Sequence, residues 1–443
     1  MYQCAECGFS SPRWMGFCPQ CRNSAALIQI ADQGGTNKSA RRAAEAAVPI
    51  AAAAAEPSVA TPTGMAELDR VLGGGLVPGA ALLVGGEPGV GKSTLLSQAA
   101  AAVARRGGSA LVVSAEESVS QVGMRLGRLG AVAVDVALVA EHRLEPILAA
   151  AHNARPAIMV VDSIQAVASA SVAGVSGGPA QVRECADQLV RFAKETSTPV
   201  VLIGHVTKDG NIGGPKLLEH MVDVVLYLEG DARLGLRLLR NLKNRFGPTH
   251  EVGMFEMTDR GMQEVADPSA VLVGEWRGVM PGTVVYPAIE GRRPVLVEVQ
   301  ALVDPSPSAK PRRSVRGVEP ARVHQLLAVL ARHGGLNFSG HDVYVNVVGG
   351  LRMREPAADL PVALALASSI TGVALGRLAA WGEVGLTGET RPAAQSQIRS
   401  DEAKRVGIRS VLAPTERDAD DIATMLERAG LPLSQPGLVA AVV

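Results

Sequence analysis

The chain has 443 residues, with 43 Lys+Arg balancing 43 Asp+Glu, 47% hydrophobic residues and only 3% aromatics. This length exceeds one ordinary core and predicts two or three domains of about 100–200 residues each. The charge balance excludes a global basic field, so any nucleic-acid contact must come from local clusters, and the few aromatics argue against extended base stacking.

Four of the five cysteines lie within the first 21 residues, as Cys4-x2-Cys7 and Cys18-x2-Cys21. Two thiolate pairs on tight turns, with Gly8, Pro12, Gly16 and Pro19 supplying the bends, can close tetrahedrally around Zn²⁺. Residues 1–30 are therefore expected to form a four-cysteine zinc knuckle. So short a segment has little apolar core, and metal binding worth about 10–16 kcal/mol would supply its folding. Two redox CxxC pairs are the competing reading, against which the doubled motif weighs. Arg13 and Trp14 at the knuckle tip can meet nucleic acid or another part of the protein. Cysteine use of this kind points to a reducing compartment. The N-terminus has no basic-then-apolar signal pattern, and no uncharged apolar stretch of about 18 residues occurs, so the expectation is a soluble, cytoplasmic chain with no membrane contact. Residues 31–60 are alanine-rich and interrupted by Gly34, Gly35, Pro49 and Pro57, and read as a flexible linker.

Strand-like runs follow at Ala80 to Val84, Ala110 to Ser114, Ala157 to Val161, Val200 to Gly204, Val222 to Leu228 and Leu236 to Leu242. Helix-like stretches at Leu95 to Arg105 and Val182 to Glu195 lie between them. Such alternation predicts an α/β fold with a mainly parallel sheet, its chemistry beyond the carboxyl ends of the strands. Gly86-Glu87-Pro88-Gly89-Val90-Gly91-Lys92-Ser93-Thr94 joins the first of those strands to the first helix. A glycine-rich turn there points successive N–H groups at phosphate oxygens, with the helix N-terminus adding partial positive charge. Lys92 is placed to reach the β and γ phosphates of ATP and Ser93 to ligate Mg²⁺, as in a P-loop nucleoside triphosphatase.

Asp162 ends an apolar strand and fits a Walker B acid that orients the Mg²⁺ shell. Glu116 and Glu117 end the preceding strand. One of them can polarise the water attacking the γ-phosphate, and Glu116 is the expected base. His205 closes a further strand where a γ-phosphate sensor would stand, although a lone histidine is more often structural. Cys185, in a helix-like stretch, reads as a small core residue.

Thr63-Gly64-Met65-Ala66-Glu67-Leu68-Asp69 and Leu72-Gly73-Gly74-Gly75-Leu76, ahead of the P-loop, resemble the approach to a RecA-type ATPase core. With the cysteine knuckle and Lys243-Asn244-Arg245-Phe246-Gly247, the chain resembles the RadA (Sms) family of bacterial DNA-repair proteins from end to end. The resemblance implies a RecA-type ATPase domain over residues 61–267. It also implies a DNA-stimulated, helicase-like ATPase that assembles as a homo-hexameric ring, moves along single-stranded and branched DNA and promotes branch migration of recombination intermediates. The recombinase and replicative helicase machinery are its implied partners. Lys243 and Arg245 can reach a neighbouring subunit's nucleotide or the DNA backbone; a solvated basic turn is the bland alternative. By similarity to RecA-type proteins, the loop Ala173 to Pro179 and the loop Lys208 to Lys216, with both its lysines, face DNA in the channel.

Beyond Asp267 the pattern changes. Strand-like runs at Ala270 to Val273, Val284 to Ala288 and Val295 to Val303 precede a Pro/Ser-rich basic break in which Lys310, Arg312, Arg313 and Arg316 can bind phosphate, as an exposed loop also would carry them. Residues 268–443 are expected to form an α+β domain that resembles the proteolytic domain of Lon proteases, most closely over about 341–443 through Gly349 to Ser369 and Gly382 to Glu389. That family uses a serine nucleophile and a lysine base. Here Ala357 stands at the serine position and Arg399 aligns with the lysine; alanine is no nucleophile and arginine stays protonated, so proteolysis is not expected.

Overall fold

The computed structural model describes residues 2–11, 13–22, 27–29, 59–130, 132, 135–204, 218–230, 236–273, 280–348, 351–415 and 420–432. His205, Lys208, Lys216 and residues 31–58 of the expected linker lie outside the described residues. The chain divides into two compact units, Met1–Glu264 and Val265–Val443.

The first unit begins with strands β1 (Tyr2–Cys4), β2 (Ser10–Ser11) and β3 (Leu27–Gln29), a small antiparallel sheet in the order β2-β1-β3. Helix α1 (Ala66–Leu72) leads to β4 (Ala81–Gly86), α2 (Lys92–Arg105), β5 (Ala110–Ser114), α3 (Val119–Arg128), β6 (Val136–Ala140), α4 (Leu144–Ala154), β7 (Ile158–Asp162), α5 (Pro179–Thr196) and β8 (Val200–Ile203). Four more strands follow, β9 (Val224–Gly230), β10 (Leu236–Asn244), β11 (Val252–Thr258) and β12 (Gly261–Glu264). Together β4 to β12 make one sheet in the order β12-β11-β10-β9-β4-β8-β7-β5-β6. Strands β9, β4, β8, β7, β5 and β6 run parallel, and β10, β11 and β12 extend that sheet antiparallel.

The parallel strands are apolar throughout because both faces are covered. Successive side chains alternate between faces. Leu82, Val84, Val112, Val160, Val201 and Ile203 pack with Leu68 of α1 and Leu95, Leu96 and Ala99 of α2. Leu83, Leu111, Val113, Met159, Val161 and Leu202 pack on the opposite side with Ile147 of α4 and Val182, Leu189 and Ala193 of α5. Each Leu, Ile or Val so buried contributes about 1.5–3 kcal/mol. Cys185 lies fully buried in this second layer, and burial pushes its thiol up to about 12.

In the second unit α6 (Pro268–Val273) precedes β13 (Thr283–Glu290), β14 (Arg293–Pro305), β15 (Arg313–Arg316), α7 (Pro320–His333), β16 (His341–Val347) and α8 (Asp359–Thr371). Then come β17 (Leu378–Ala380), β18 (Glu383–Val384), β19 (Thr390–Arg391), α9 (Ser396–Arg405), β20 (Ser410–Leu412) and α10 (Ile422–Arg428). A mixed sheet in the order β15-β16-β14-β13-β17-β20 is covered by α8, which packs on β13 and β14 and is buried along nearly its whole length. The expected strand over Ala270 to Val273 is a helix instead. Pro268 opens it with its fixed φ, and Asp267 Oδ1 accepts a hydrogen bond from the Ala270 N–H at 3.0 Å, which caps the turn.

Ala357 is buried in a short 3₁₀ turn over Pro356–Ala358. Two residues before it, Glu355 meets Arg399, whose Nη2 lies 2.6 Å from Glu355 Oε2. Arg399 is only 1% exposed. Its Nη1 also donates to the Tyr286 hydroxyl at 3.2 Å and to the Pro287 carbonyl, and its Nε donates to the Ala394 carbonyl at 3.1 Å. A guanidinium this deep tolerates burial only because its donors are matched. Glu355→Ala leaves the cation buried without its counter-charge, and we expect a loss of about 3–5 kcal/mol. Urea unfolding of the full chain, followed by Trp381 fluorescence, checks this; an unchanged midpoint for the second unit would refute it.

Candidate nucleotide and metal sites

Strand β4 delivers the chain to the Gly86–Ser93 turn, and α2 starts at Lys92. Gly86 has φ +153°, and a Cβ there would lie 2.4 Å from the Leu228 carbonyl oxygen of neighbouring β9. Only glycine allows the loop to lie that close to the sheet. Gly91, the N-cap of α2, adopts φ 109° and offers no side-chain cap. The first-turn N–H groups of this helix therefore have no side-chain acceptor at the cap and are suited to an anion. From β10, buried Arg237 donates its Nε hydrogen to the Val90 carbonyl at 3.0 Å and braces the loop from behind.

Lys92 is buried, and its ammonium donates to the carbonyls of Gly86 (2.9 Å) and Glu87 (3.0 Å). Burial lowers its pKa, while Asp162 and Glu116 nearby pull it back up. Both acids reach the loop through sheet register. Ser114 of β5 pairs with Asp162 of β7, and the Ala115 N–H donates to the Asp162 carbonyl at 2.8 Å, which sets Glu116 beside the end of β7. The Ser163 hydroxyl donates to Glu116 Oε1 at 2.5 Å. Burial raises the Asp162 pKa; the Ser93 hydroxyl and Arg125 oppose that, and Glu116 and Glu117 add to it. A serine hydroxyl hydrogen-bonded to a carboxylate at a helix N-terminus is a hard-oxygen donor set, the kind that Mg²⁺ takes alongside phosphate oxygens.

The two glutamates part company. Glu117 lies beyond the Ser114 hydroxyl, which accepts from its N–H at 3.1 Å, and its carboxylate pairs with Arg125 Nη1. Arg125, Arg237 and Gln165 escaped the reading of the sequence. Three residues after Asp162, the amide nitrogen and oxygen of Gln165 are buried, and neither has a partner among the described residues. Isolated polar residues of this kind carry no spacing signal.

Lys243 and Arg245 lie at the end of β10 and just beyond it. Within the chain Lys243 Nζ donates to the carbonyls of Glu219 (2.6 Å) and Val222 (2.8 Å). Arg245 Nη1 lies 3.0 Å from Asp223 Oδ1, with its side chain still 52% exposed. Asn244 Nδ2 donates to the Leu72 carbonyl at 3.3 Å, Phe246 is exposed, and Gly247 lies close to Gly73. In the second unit Arg313 donates to the carbonyls of Arg312, His341 and Phe338, so its guanidinium ties β15 to its surroundings, while the Arg312 N–H donates to Asp342 at 2.7 Å.

At the N-terminus the sulfurs of Cys4, Cys7, Cys18 and Cys21 all lie within 4.8 Å of one another. Cys4 and Cys21 are 3.5 Å apart, as are Cys7 and Cys18. Zn–S bonds of about 2.3 Å in a tetrahedron require sulfurs about 3.8 Å apart, so the four thiolates fit zinc. The tight turns come from the Gly8 N–H donating to the Cys4 carbonyl (2.9 Å) and the Arg22 N–H to that of Cys18 (2.7 Å). Trp14 and Phe17 stand exposed on this lobe.

A phosphate-binding turn at the carboxyl end of a central parallel strand, two strand-end acids beside it and a four-cysteine lobe define a P-loop ATPase with a zinc ribbon. Family models agree: an AAA domain matches residues 61–211 and a rubredoxin metal binding domain matches residues 2–29. The relatives named DNA repair protein RadA include that of Brucella abortus (strain 2308), 45% identical over 423 residues, 93% of this chain and 91% of that one. That of Pseudomonas aeruginosa is 45% identical, covering 94% and 92%, and that of Escherichia coli (strain K12) 44%, covering 93% and 92%. The chain belongs to the RadA family of DNA repair proteins. Among the described residues no helix is long and apolar enough to cross a membrane.

Thiol counting tests the zinc assignment. The purified chain should carry one zinc per polypeptide and show no thiol reactive at pH 8. A chelator should expose Cys4, Cys7, Cys18 and Cys21, and Cys185 should react only after denaturation. Four thiols that titrate freely before chelation would remove zinc from the account.

Proposed function

We propose that this chain is a DNA-stimulated ATPase of recombination and repair that assembles as a homo-hexameric ring, translocates on single-stranded or branched DNA and promotes branch migration. The observation that supports it most is the convergence of Lys92, Ser93, Glu116 and Asp162 at the carboxyl ends of β4, β5 and β7. Bound ATP with Mg²⁺ supplies the phosphoanhydride whose cleavage drives movement. Residues 86–94 hold the phosphates through main-chain N–H groups, and Lys92 turns from the Gly86 and Glu87 carbonyls toward them. Ser93 and Asp162 would hold the Mg²⁺, which would draw charge from the phosphate oxygens, and Glu116 would take a proton from the attacking water.

In the same reading residues 61–267 are the motor, 1–30 the zinc-binding lobe, 31–60 a linker and 268–443 a Lon-like scaffold without protease activity. Arg399, already committed to Glu355, has no basic form to offer a nucleophile. Lys243 and Arg245, the latter exposed enough to change partners on assembly, act between subunits or on DNA, and His205 senses the γ-phosphate. Lys208, Lys216, Arg312 and Arg313 are proposed DNA contacts. Recombinase and replicative helicase are the functional partners, in the cytoplasm.

Turnover with and without single-stranded DNA, measured beside the oligomer mass, tests this directly. Lys92→Ala should lower DNA-stimulated turnover by about 10²–10³-fold, and Glu116→Gln by about 10²–10⁴-fold, while neither disturbs zinc content. Wild-type turnover in Lys92→Ala would remove the assigned site.

A further inference from the structure

Two adjacent glutamates follow β5, Glu116 and Glu117, yet a single attacking water needs one base. Helix α3 starts immediately after them. Ser118 caps it through a reciprocal pair of hydrogen bonds with Gln121, which fixes the direction in which the helix leaves the site. Val122 and Leu126 are its buried residues, and Arg125, three after the first and one before the second, lies on the same inward side. Its guanidinium reaches back over the turn. Nη1 pairs with Glu117 Oε2, and Nη2 lies 3.9 Å from Asp162 Oδ2. The Nε hydrogen is buried and has no partner among the described residues. Glu116, by contrast, accepts from Ser163 on the Asp162 side.

We propose that Arg125 is a positioning residue that divides the glutamate pair, holding Glu117 away from the reacting water so that Glu116 alone serves it. This rests on the ATPase reading above. Without Arg125, the Glu117 carboxylate stands unbalanced near Asp162 and Glu116, where it competes with Glu116 for the attacking water. Arg125 therefore works on the other acids rather than on the substrate. Its loss should be repaired by removing the charge it restrains.

The test uses the full chain in four forms besides wild type: R125A, E117Q, the double variant R125A/E117Q, and E116Q as reference. DNA-stimulated kcat and KM are measured together with the affinity for a fluorescent ATP analogue in Mg²⁺, a readout independent of turnover. R125A should lose about 10–100-fold in kcat, the usual effect of removing a partner that orients a working group, with analogue affinity within about threefold of wild type. E117Q should keep kcat within about threefold, and the double variant should recover most of what R125A lost. E117Q as slow as E116Q would overturn the division of labour, and this arm stands even if R125A does not fold. A double variant no faster than R125A would overturn the restraint. R125A with analogue affinity lowered by more than about tenfold would also overturn it, because Arg125 would then be holding nucleotide. A wild-type chain that hydrolyses nothing with or without DNA would overturn the ATPase reading and this inference with it; any of the three failures above, in a chain that does turn over, overturns this inference alone.

Discussion

The parallel register of β4, β5, β7 and β8 is the constraint on which the site depends. The P-loop, the paired glutamates and the Walker-type aspartate come from segments separated by tens of residues, and none of them binds another strongly enough to assemble alone. Pairing Leu83 with Leu202, Val160 with Val201 and Ser114 with Asp162 places all their strand ends at one edge. A slip of one residue would also turn each strand's apolar set to the wrong face. The two hydrophobic layers that bury alternate residues of these strands therefore hold the chemistry in place as well as the fold.

That edge collects charge, and the surroundings temper it. Asp162 and Glu116 face one ammonium, with Glu117 beside Asp162, and the desolvation that raises the Asp162 pKa also lowers that of Lys92. Within the chain, Lys92 rests on the loop carbonyls, Ser163 donates to Glu116 and Arg125 pairs with Glu117. Each of these is a contact that incoming charge can replace at little structural cost, because each partner is a carbonyl, a hydroxyl or a side chain at the end of a flexible stem.

Much of this was legible in the sequence where a residue type has few alternative uses. Gly86, Gly89 and Gly91 at fixed spacing before Lys92 admit few conformations, and acids that end apolar runs, such as Asp162 and Glu116, stand out against the strands that carry them. Doubled CxxC pairs are similarly restrictive. The edge strand β6, Val136–Ala140, is a short apolar run inside an alanine- and valine-rich stretch with no readable period, and its half-burial, which the sequence does not disclose, marks it as an edge. Ala270 to Val273 misled because four apolar residues have no readable period, and the decision lay with Asp267 and Pro268 outside the run. Arg125 and Arg237 were invisible because a lone arginine in a helix or strand reads as surface until its partner is known.

The cations of Lys243-Asn244-Arg245-Phe246-Gly247 illustrate the same limit from the other side. The motif was conspicuous, but its partners within the chain are the main-chain carbonyls of Glu219 and Val222 and the buried carboxylate of Asp223, none of which spacing discloses. Asp223 in turn accepts from the Ala81 N–H at 3.1 Å, at the first residue of β4, the strand that carries the phosphate loop. Arg245 is thus one carboxylate away from the start of that strand. A cation that changed partner there would leave Asp223 short of a counter-charge, buried and hydrogen-bonded to β4, so an event at the motif is felt at the base of the strand rather than through solvent. Arg399 is the opposite case. Each of its three nitrogens has a partner in Glu355, Tyr286 or a main-chain carbonyl within one fold unit, and a guanidinium so held is suited to fixing a structure and not to switching it.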